Sequence, residues 1–301
     1  MLMKQLEAIE EKRLKAVESF KKERNKGLMF LIPAILVIIL GFLFNQFVVV
    51  AIGFVLVIVG FIFIGKGSSY ISAYNKTVKN ELVTTLLKDT YEDVYYDQNS
   101  GIALNQILKT ETVKRPDRSH FEDYFRASYK GIHFETSDLD LKERVQHRDS
   151  KGHTYYTYET YFKGRWIIYR FDRHFKEGLK IIESRFGFNK HGYEKMDTES
   201  LEFNKKFTIY TTTKEYGFYQ ITSTMIEKLL KLEKMHRGQI VYCFMDNELH
   251  IGINDRKDYL EVSYKTPVTE ESLQPVLDDI ELIAAIVNEF RLDGPKFKEQ
   301  D

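Results

Sequence analysis

A single cysteine, Cys243, stands in 301 residues, so no disulfide can form within one chain. It lies in the alternating run Gln239–Asp246, where a buried structural thiol is the simplest reading and a nucleophile has no surrounding signature. Five prolines and no Ser/Gly-rich tract leave no flexible linker to divide the chain. Neither G-x-S-x-G, H-E-x-x-H nor paired C-x-x-C occurs, so the common hydrolase, zincin and zinc-ribbon signatures are missing. Gly65-Lys66-Gly67-Ser68 lacks the spacing of a phosphate loop and follows an apolar run, not a strand. The eight histidines are scattered. His147 and His153 flank one turn, but no third ligand accompanies them. The sequence therefore nominates no catalytic, cofactor-binding or metal-binding residue.

The most consequential absence is of charge. Residues 27–64 contain no Lys, Arg, Asp, Glu or His, and form two apolar runs, 27–44 and 47–64, around Asn45-Gln46. As a helix, an 18-residue run is about 27 Å long, enough to cross a hydrocarbon core. Backbone in lipid must bond to itself, so the pair is predicted to be a transmembrane helical hairpin. Residues 1–80 carry 11 Lys/Arg against 5 Asp/Glu, leaving 33 against 39 in residues 81–301. Basic residues flank both outer ends of the hairpin, which predicts a cell-membrane protein with two spans and both termini cytoplasmic. A cleaved leader fits poorly: the charged segment before the first run is 26 residues long and no small-residue cleavage site follows.

Around the hairpin, residues 1–26 read as a charged amphipathic helix, with Leu6, Ile9, Leu14, Val17 and Phe20 at helical spacing. It is expected to lie along the membrane or pack on the cytoplasmic domain. A short coiled-coil dimer is the alternative, with Arg13 interrupting its heptads. Residues 65–90 read as a juxtamembrane helix, its exit loosened by Gly65, Gly67, Ser68 and Ser69. Residues 91–294 read as a cytoplasmic α+β domain and 295–301 as a polar tail.

Within that domain the period changes to two from about residue 121. Short turns at Lys130-Gly131, Asp149–His153, Lys163-Gly164 and Lys176–Gly178 favour antiparallel hairpins. Phe207–Thr213 with Tyr216–Ser223 reads as one hairpin, and Gln239–Asp246 with Glu248–Asn254 as another. Thr224 and Glu227 have capping-box spacing for a helix that Gly238 ends, and residues 269–292 form a long amphipathic helix. The fold class is α+β: a largely antiparallel sheet covered by helices.

Tyr155, Tyr156, Tyr158 and Tyr161 crowd one strand. Strict alternation places Tyr156 and Tyr158 on one face, Tyr155 and Tyr161 on the other. Cross-strand packing explains such a cluster, and a partner-binding surface is the functional alternative. Trp166 reads as a core anchor.

One set of segments resembles a bacterial family of uncharacterised two-helix membrane proteins that share a domain of unknown function. The segments are Glu199-Ser200-Leu201-Glu202-Phe203-Asn204-Lys205-Lys206-Phe207, Phe162-Lys163-Gly164 upstream, Met225-Ile226-Glu227-Lys228-Leu229 downstream, and the hairpin around Asn247. The likeness spans roughly residues 60–292. A Thr-Pro pair usual before the Met-x-Glu helix is replaced here by Ser223-Thr224. The resemblance implies a fold grouping and a membrane location, and carries no activity and no site residues. In the Glu199–Phe207 segment, Leu201, Phe203 and Phe207 are expected to pack while Glu202, Lys205 and Lys206 face water.

Three readings of function follow. A membrane-anchored binding or scaffolding module without catalysis of its own, with a protein partner or a second copy of the chain, leads. Gly53 and Gly60 would let helices approach closely. A membrane-associated hydrolase or transferase acting on a lipid or envelope precursor is the alternative, and a lipid-surface sensor using the basic N-terminal segment is third. The net acidic soluble part argues against nucleic acid.

Overall fold

The structure is a computed structural model that describes residues 2–175, 177–183, 191–235 and 238–298. The chain divides into two compact units.

The first unit comprises the chain up to Leu82 together with Glu261–Pro275. Helix α1 runs Leu2–Leu43 and helix α2 runs Phe47–Thr90, so the charged N-terminal segment and the first apolar run form one continuous helix. Asn45, with φ 53°, makes the turn between them. Over the apolar part the contact is built on small residues: a Cβ on Gly60 would meet Leu31 at 2.6 Å, and one on Gly53 would meet Ile38 at 2.4 Å. Gly53 and Gly60 are thus consumed within the hairpin and are not left for a second chain. Met29, Phe42, Phe47 and Phe61 point outward, exposed. Such an apolar exterior suits hydrocarbon and not water.

Beyond the apolar part, α1 and α2 continue side by side as a charged helical pair. Leu6, Ile9, Ile71, Tyr74 and Val78 are buried. Lys12 bridges to Glu81 at 2.6 Å across the pair. One expectation changes here: the N-terminal helix extends the first apolar helix instead of lying flat on a bilayer. Gly65–Ser69 lie inside an unbroken α2, so the juxtamembrane helix continues the second apolar run. Arg13, the residue that breaks the heptads, is buried because Glu10 pairs with it at 2.6 Å and the Tyr264 carbonyl accepts from it at 3.1 Å. Lys79, also buried, pairs with Glu261.

The second unit, Val83–Leu260 with Val276–Asp301, holds a nine-stranded antiparallel sheet. Its strands are β1 (Glu92–Asp97), β2 (Arg118–Tyr129), β3 (Ile132–Arg148), β4 (Thr154–Arg170), β5 (Leu179–Glu183), β6 (Glu194–Met196), β7 (Phe207–Thr211), β8 (Gln239–Met245) and β9 (Glu248–Asn254). Their spatial order is β1-β2-β3-β4-β9-β8-β5-β7-β6. Helices are α3 (Leu104–Lys109), α4 (Leu201–Lys206), α5 (Lys214–Gln220), α6 (Ser223–Met235) and α7 (Glu270–Phe290). The fold is α+β, with a long C-terminal amphipathic helix, as the periodicity predicts.

On one sheet face Leu141, Phe162, Trp166 and Ile168 pack under Ile102 and Ile107. Gly252 is obligatory there: a Cβ would come within 2.4 Å of the Trp166 ring. On the other face Tyr169 donates to the Ile283 carbonyl of α7 at 3.0 Å, and Tyr91 donates to Ile280. Ser272 and Thr269 cap α7 reciprocally, at 2.9 and 3.2 Å.

Local corrections follow the packing. Residues 214–220 form helix α5, not a strand paired with β7, whose neighbours are β5 and β6. Helix α6 is capped by Thr222, whose hydroxyl accepts from Met225, rather than by Thr224. Ser200 caps α4 by accepting from Phe203, so it serves structure, and Leu201 is 77% exposed instead of packed. Residues 184–186, Lys176 of the Lys176–Gly178 turn and residues 299–301 of the tail lie outside the described residues.

Candidate functional site

Strands β3 and β4 pair along their whole length, and their two halves meet different surroundings. The inner half, around Asp138 and Arg165, is buried. The outer half, Lys142–Arg148 with Thr154–Thr160, has no strand partner beyond Arg118 of β2 among the described residues, although Asp117 bonds to the backbone of Lys142 and Arg144 and Lys114 bridges to Glu143.

The inner half carries a buried charge cluster. Arg165 Nε donates to Asp138 at 3.2 Å and Nη1 donates to the Asp279 carbonyl at 3.0 Å. Its guanidinium lies 4.0 Å from the Tyr259 ring centroid. Asp138 also accepts from the Tyr259 N–H at 2.6 Å, and Asp279 pairs with Lys257. Burial pushes the Asp138 carboxyl up to about 7; Arg165 pulls it down and the neighbouring Asp123 adds to the rise. Burial also opposes the Arg165 charge, but Asp138 and Asp279 outweigh it and hold the guanidinium above its ordinary value. The two shifts are compatible because several carboxylates share one guanidinium, so the arginine keeps its proton while Asp138 competes for it.

Beside this cluster is a cavity of about 50 Å³ lined by His120, Glu122, Asp140, Lys163 and Asp258 with Asp138. That is room for a few waters at most. Lys163 bridges to Asp258 at 2.9 Å, and His120 approaches Glu122 at 3.7 Å. No group of three metal-ligating side chains occurs among the described residues.

The outer half holds the tyrosines. Tyr155, Tyr156 and Tyr158 are exposed, at 53%, 51% and 37%. Tyr161 has no opposite residue: Leu141 faces Phe162 and Lys142 faces Thr160, so it is a β-bulge. The bulge interrupts the strict alternation and puts Phe162 and Trp166 on the same side as Tyr155. Tyr161 is half-buried, with its hydroxyl donating to the Lys114 carbonyl. It is a structural tyrosine, unlike the other three.

Tyr155 stacks on His147, ring centroids 5.1 Å apart. The two turn histidines do not meet: His147 contacts Thr157 at 2.6 Å, and His153 contacts Asp149 at 3.1 Å. On the opposite face, Arg118 lies 3.5 Å from the Tyr158 centroid and Arg144 lies 4.8 Å from that of Tyr156. Sequence reasoning finds the tyrosines and misses these arginines, which come from β2 and β3 and require the register to be placed.

Elsewhere, Cys243 is buried and its thiol is pushed up to about 12 by that burial, which leaves it inert. Trp166 is fully buried, donating to His250 at 3.3 Å, while His250 faces Glu248 at 3.0 Å.

A family model described as "Protein of unknown function (DUF3137)" matches residues 160–292, from the last residue of the outer half of β4 through α7. Among solved structures, the chain is similar to the crystal structure of the mycobacterial trehalose monomycolate transport factor A, TtfA. Identity is 7%, covering 70% of this chain and 96% of that one, with a TM-score of 0.40. A likeness so slight carries no inference about role. No curated protein matches.

Proposed function

We propose that this chain is a membrane-anchored cytoplasmic binding or scaffolding module without catalysis of its own. The anchor is the pair of apolar runs in α1 and α2, which are long and apolar enough to cross a membrane. Positive charge at both outer ends of that pair supports two spans with both termini cytoplasmic. Uncharged helices packed on glycine offer no polar route for a substrate, which favours anchorage over transport. The observation that carries the binding role is the outer half of β3–β4: three exposed tyrosines on an arm whose β4 edge pairs with no further strand among the described residues. Tyrosine is enriched where surfaces bind, having large area and few rotamers to freeze.

The hydrolase or transferase reading draws on the cavity beside Asp138, where His120 meets several carboxylates. That pocket has room for a few waters, which gives a lipid or envelope precursor little to bind, and the lining Lys163 and Lys257 are already paired with Asp258 and Asp279.

Photo-crosslinking from Tyr155, Tyr156 and Tyr158 in the full-length membrane protein tests the binding reading. Discrete protein adducts from these positions, and none from buried Tyr169, are expected. A chain that yields no adduct from any surface position and behaves as a partnerless monomer contradicts it.

A further inference from the structure

The two faces of the outer β3–β4 arm differ in charge. Residues that oppose each other in register point to the same side of a sheet. Arg118, Lys142, Arg144, Arg148, Tyr156 and Tyr158 therefore share one face. The reverse face carries Glu143 opposite Glu159 and His147 opposite Tyr155. Among the described residues the carboxylates on this side lie at its base, where Lys142 pairs with Asp140 at 3.0 Å. Among the described residues Arg118, Arg144 and Arg148 have no carboxylate partner.

These arginines sit on β2 and β3, yet the guanidinium groups of Arg118 and Arg144 lie over Tyr158 and Tyr156 of β4. They lean toward the outer edge of β4. That edge is open: β9 pairs with β4 only over Arg165–Arg170, leaving Thr154–Thr160 paired with β3 alone among the described residues. The stretch contains no Pro and no Lys, the usual blunting devices of edge strands. At about 3.3 Å per residue it offers an edge of roughly 23 Å.

We propose that this edge accepts an extended acidic segment of a partner protein as an added strand. Alternate Asp or Glu side chains of that strand would fall on the cationic face, beneath the leaning guanidinium groups. An open ladder edge is completed by another polypeptide backbone, and guanidinium is the side chain best matched to carboxylate. The proposal rests on reading the chain as a binding module and adds the docking surface and the partner's chemistry. A second copy of the same edge is the wrong occupant, since edge-to-edge pairing would set two arginine clusters against each other. Nucleic-acid bases would find the Tyr158 ring already covered by Arg118, and a bilayer would find no Leu, Ile or Phe on this face to insert.

The test uses the full-length chain in detergent and fluorescein-labelled peptides of about ten residues, a full strand length. An alternating Glu-Val peptide should bind, and a Lys-Val peptide should not. N-methylation of one alternate set of its residues should abolish binding while the other set tolerates it, because only one set faces the edge. R118Q/R144Q should weaken binding by about tenfold with an unchanged unfolding transition. Equal binding of both N-methylated peptides, or no effect of R118Q/R144Q, overturns the proposal. So does arginine-dependent binding of phosphatidylglycerol vesicles or single-stranded RNA without binding of the peptide. If photo-crosslinks form at Tyr156 while the Glu-Val peptide fails to bind, the binding role stands and this inference falls.

Discussion

The two halves of the β3–β4 hairpin are one antiparallel pair, broken by the bulge at Tyr161 and put to two uses. In the inner half both faces are covered, and Asp138, Arg165 and Tyr169 each have a backbone or side-chain partner within 3.2 Å, although Arg165 Nη2 and the Thr136 hydroxyl are buried without one. The outer half is touched only at its base among the described residues, by Lys114 against Glu143, Asp117 on the Arg144 backbone and Arg118 over Tyr158, and its arginines hold tyrosine rings in place of carboxylates. Pairing geometry is the same in both, so what differs is desolvation. Removing a group from the inner half leaves a charge stranded away from water, whereas removing one from the outer half leaves a hole that water fills.

The largest expected effect is therefore in the inner half. Arg165→Ala strands Asp138, and should cost about 3–5 kcal/mol in urea unfolding, the range for breaking a buried ion pair. Next comes pH. A carboxyl whose folded-state pKa is raised holds its proton more tightly folded than unfolded. Asp138, pushed up to about 7, thus makes stability fall as pH climbs from about 4 to about 7. Asp138→Asn should flatten that slope in urea midpoints measured across the window. Glu248, which a hydrogen bond from His250 holds down at about 2, works the other way. Its contribution is present above about 4.5 and is lost as pH falls toward 2, so Glu248→Gln should lower the plateau above about 4.5 and flatten the acid limb below it. At the junction, Tyr161→Phe removes one hydroxyl hydrogen bond to Lys114 and should cost about 1 kcal/mol. Smallest is the outer half, where Tyr156→Ala with Tyr158→Ala should shift stability by less than about 1 kcal/mol, the scale of exposed cation–π contacts.

The same contrast explains what was legible in the sequence. The hairpin of 27–64, the turns at Lys130-Gly131 and Asp246-Asn247 and the stripe of α7 all announce themselves through local patterns, and the α+β architecture follows from them. Strand β1 and helix α3 are short and without period, and α5 carries Tyr and Phe that read as strand until packing bends them into a helical turn. Arg165 and Asp138 look like ordinary solvent-facing positions of alternating strands, because nothing local says that α7 will cover them. The four tyrosines were visible as a cluster, but one inserted residue at Tyr161 resets the faces, and no local pattern marks which tyrosine will be the bulge.

The anchored, one-sided arrangement is tested most directly by labelling single cysteines in intact cells with a membrane-impermeant maleimide, in a Cys243→Ser background. Asn45→Cys, at the tip of the hairpin, should label in intact cells, while Glu18→Cys and Tyr155→Cys should label only after permeabilisation. Labelling of Tyr155→Cys in intact cells, with Asn45→Cys protected, would contradict a cytoplasmic module on a two-span anchor.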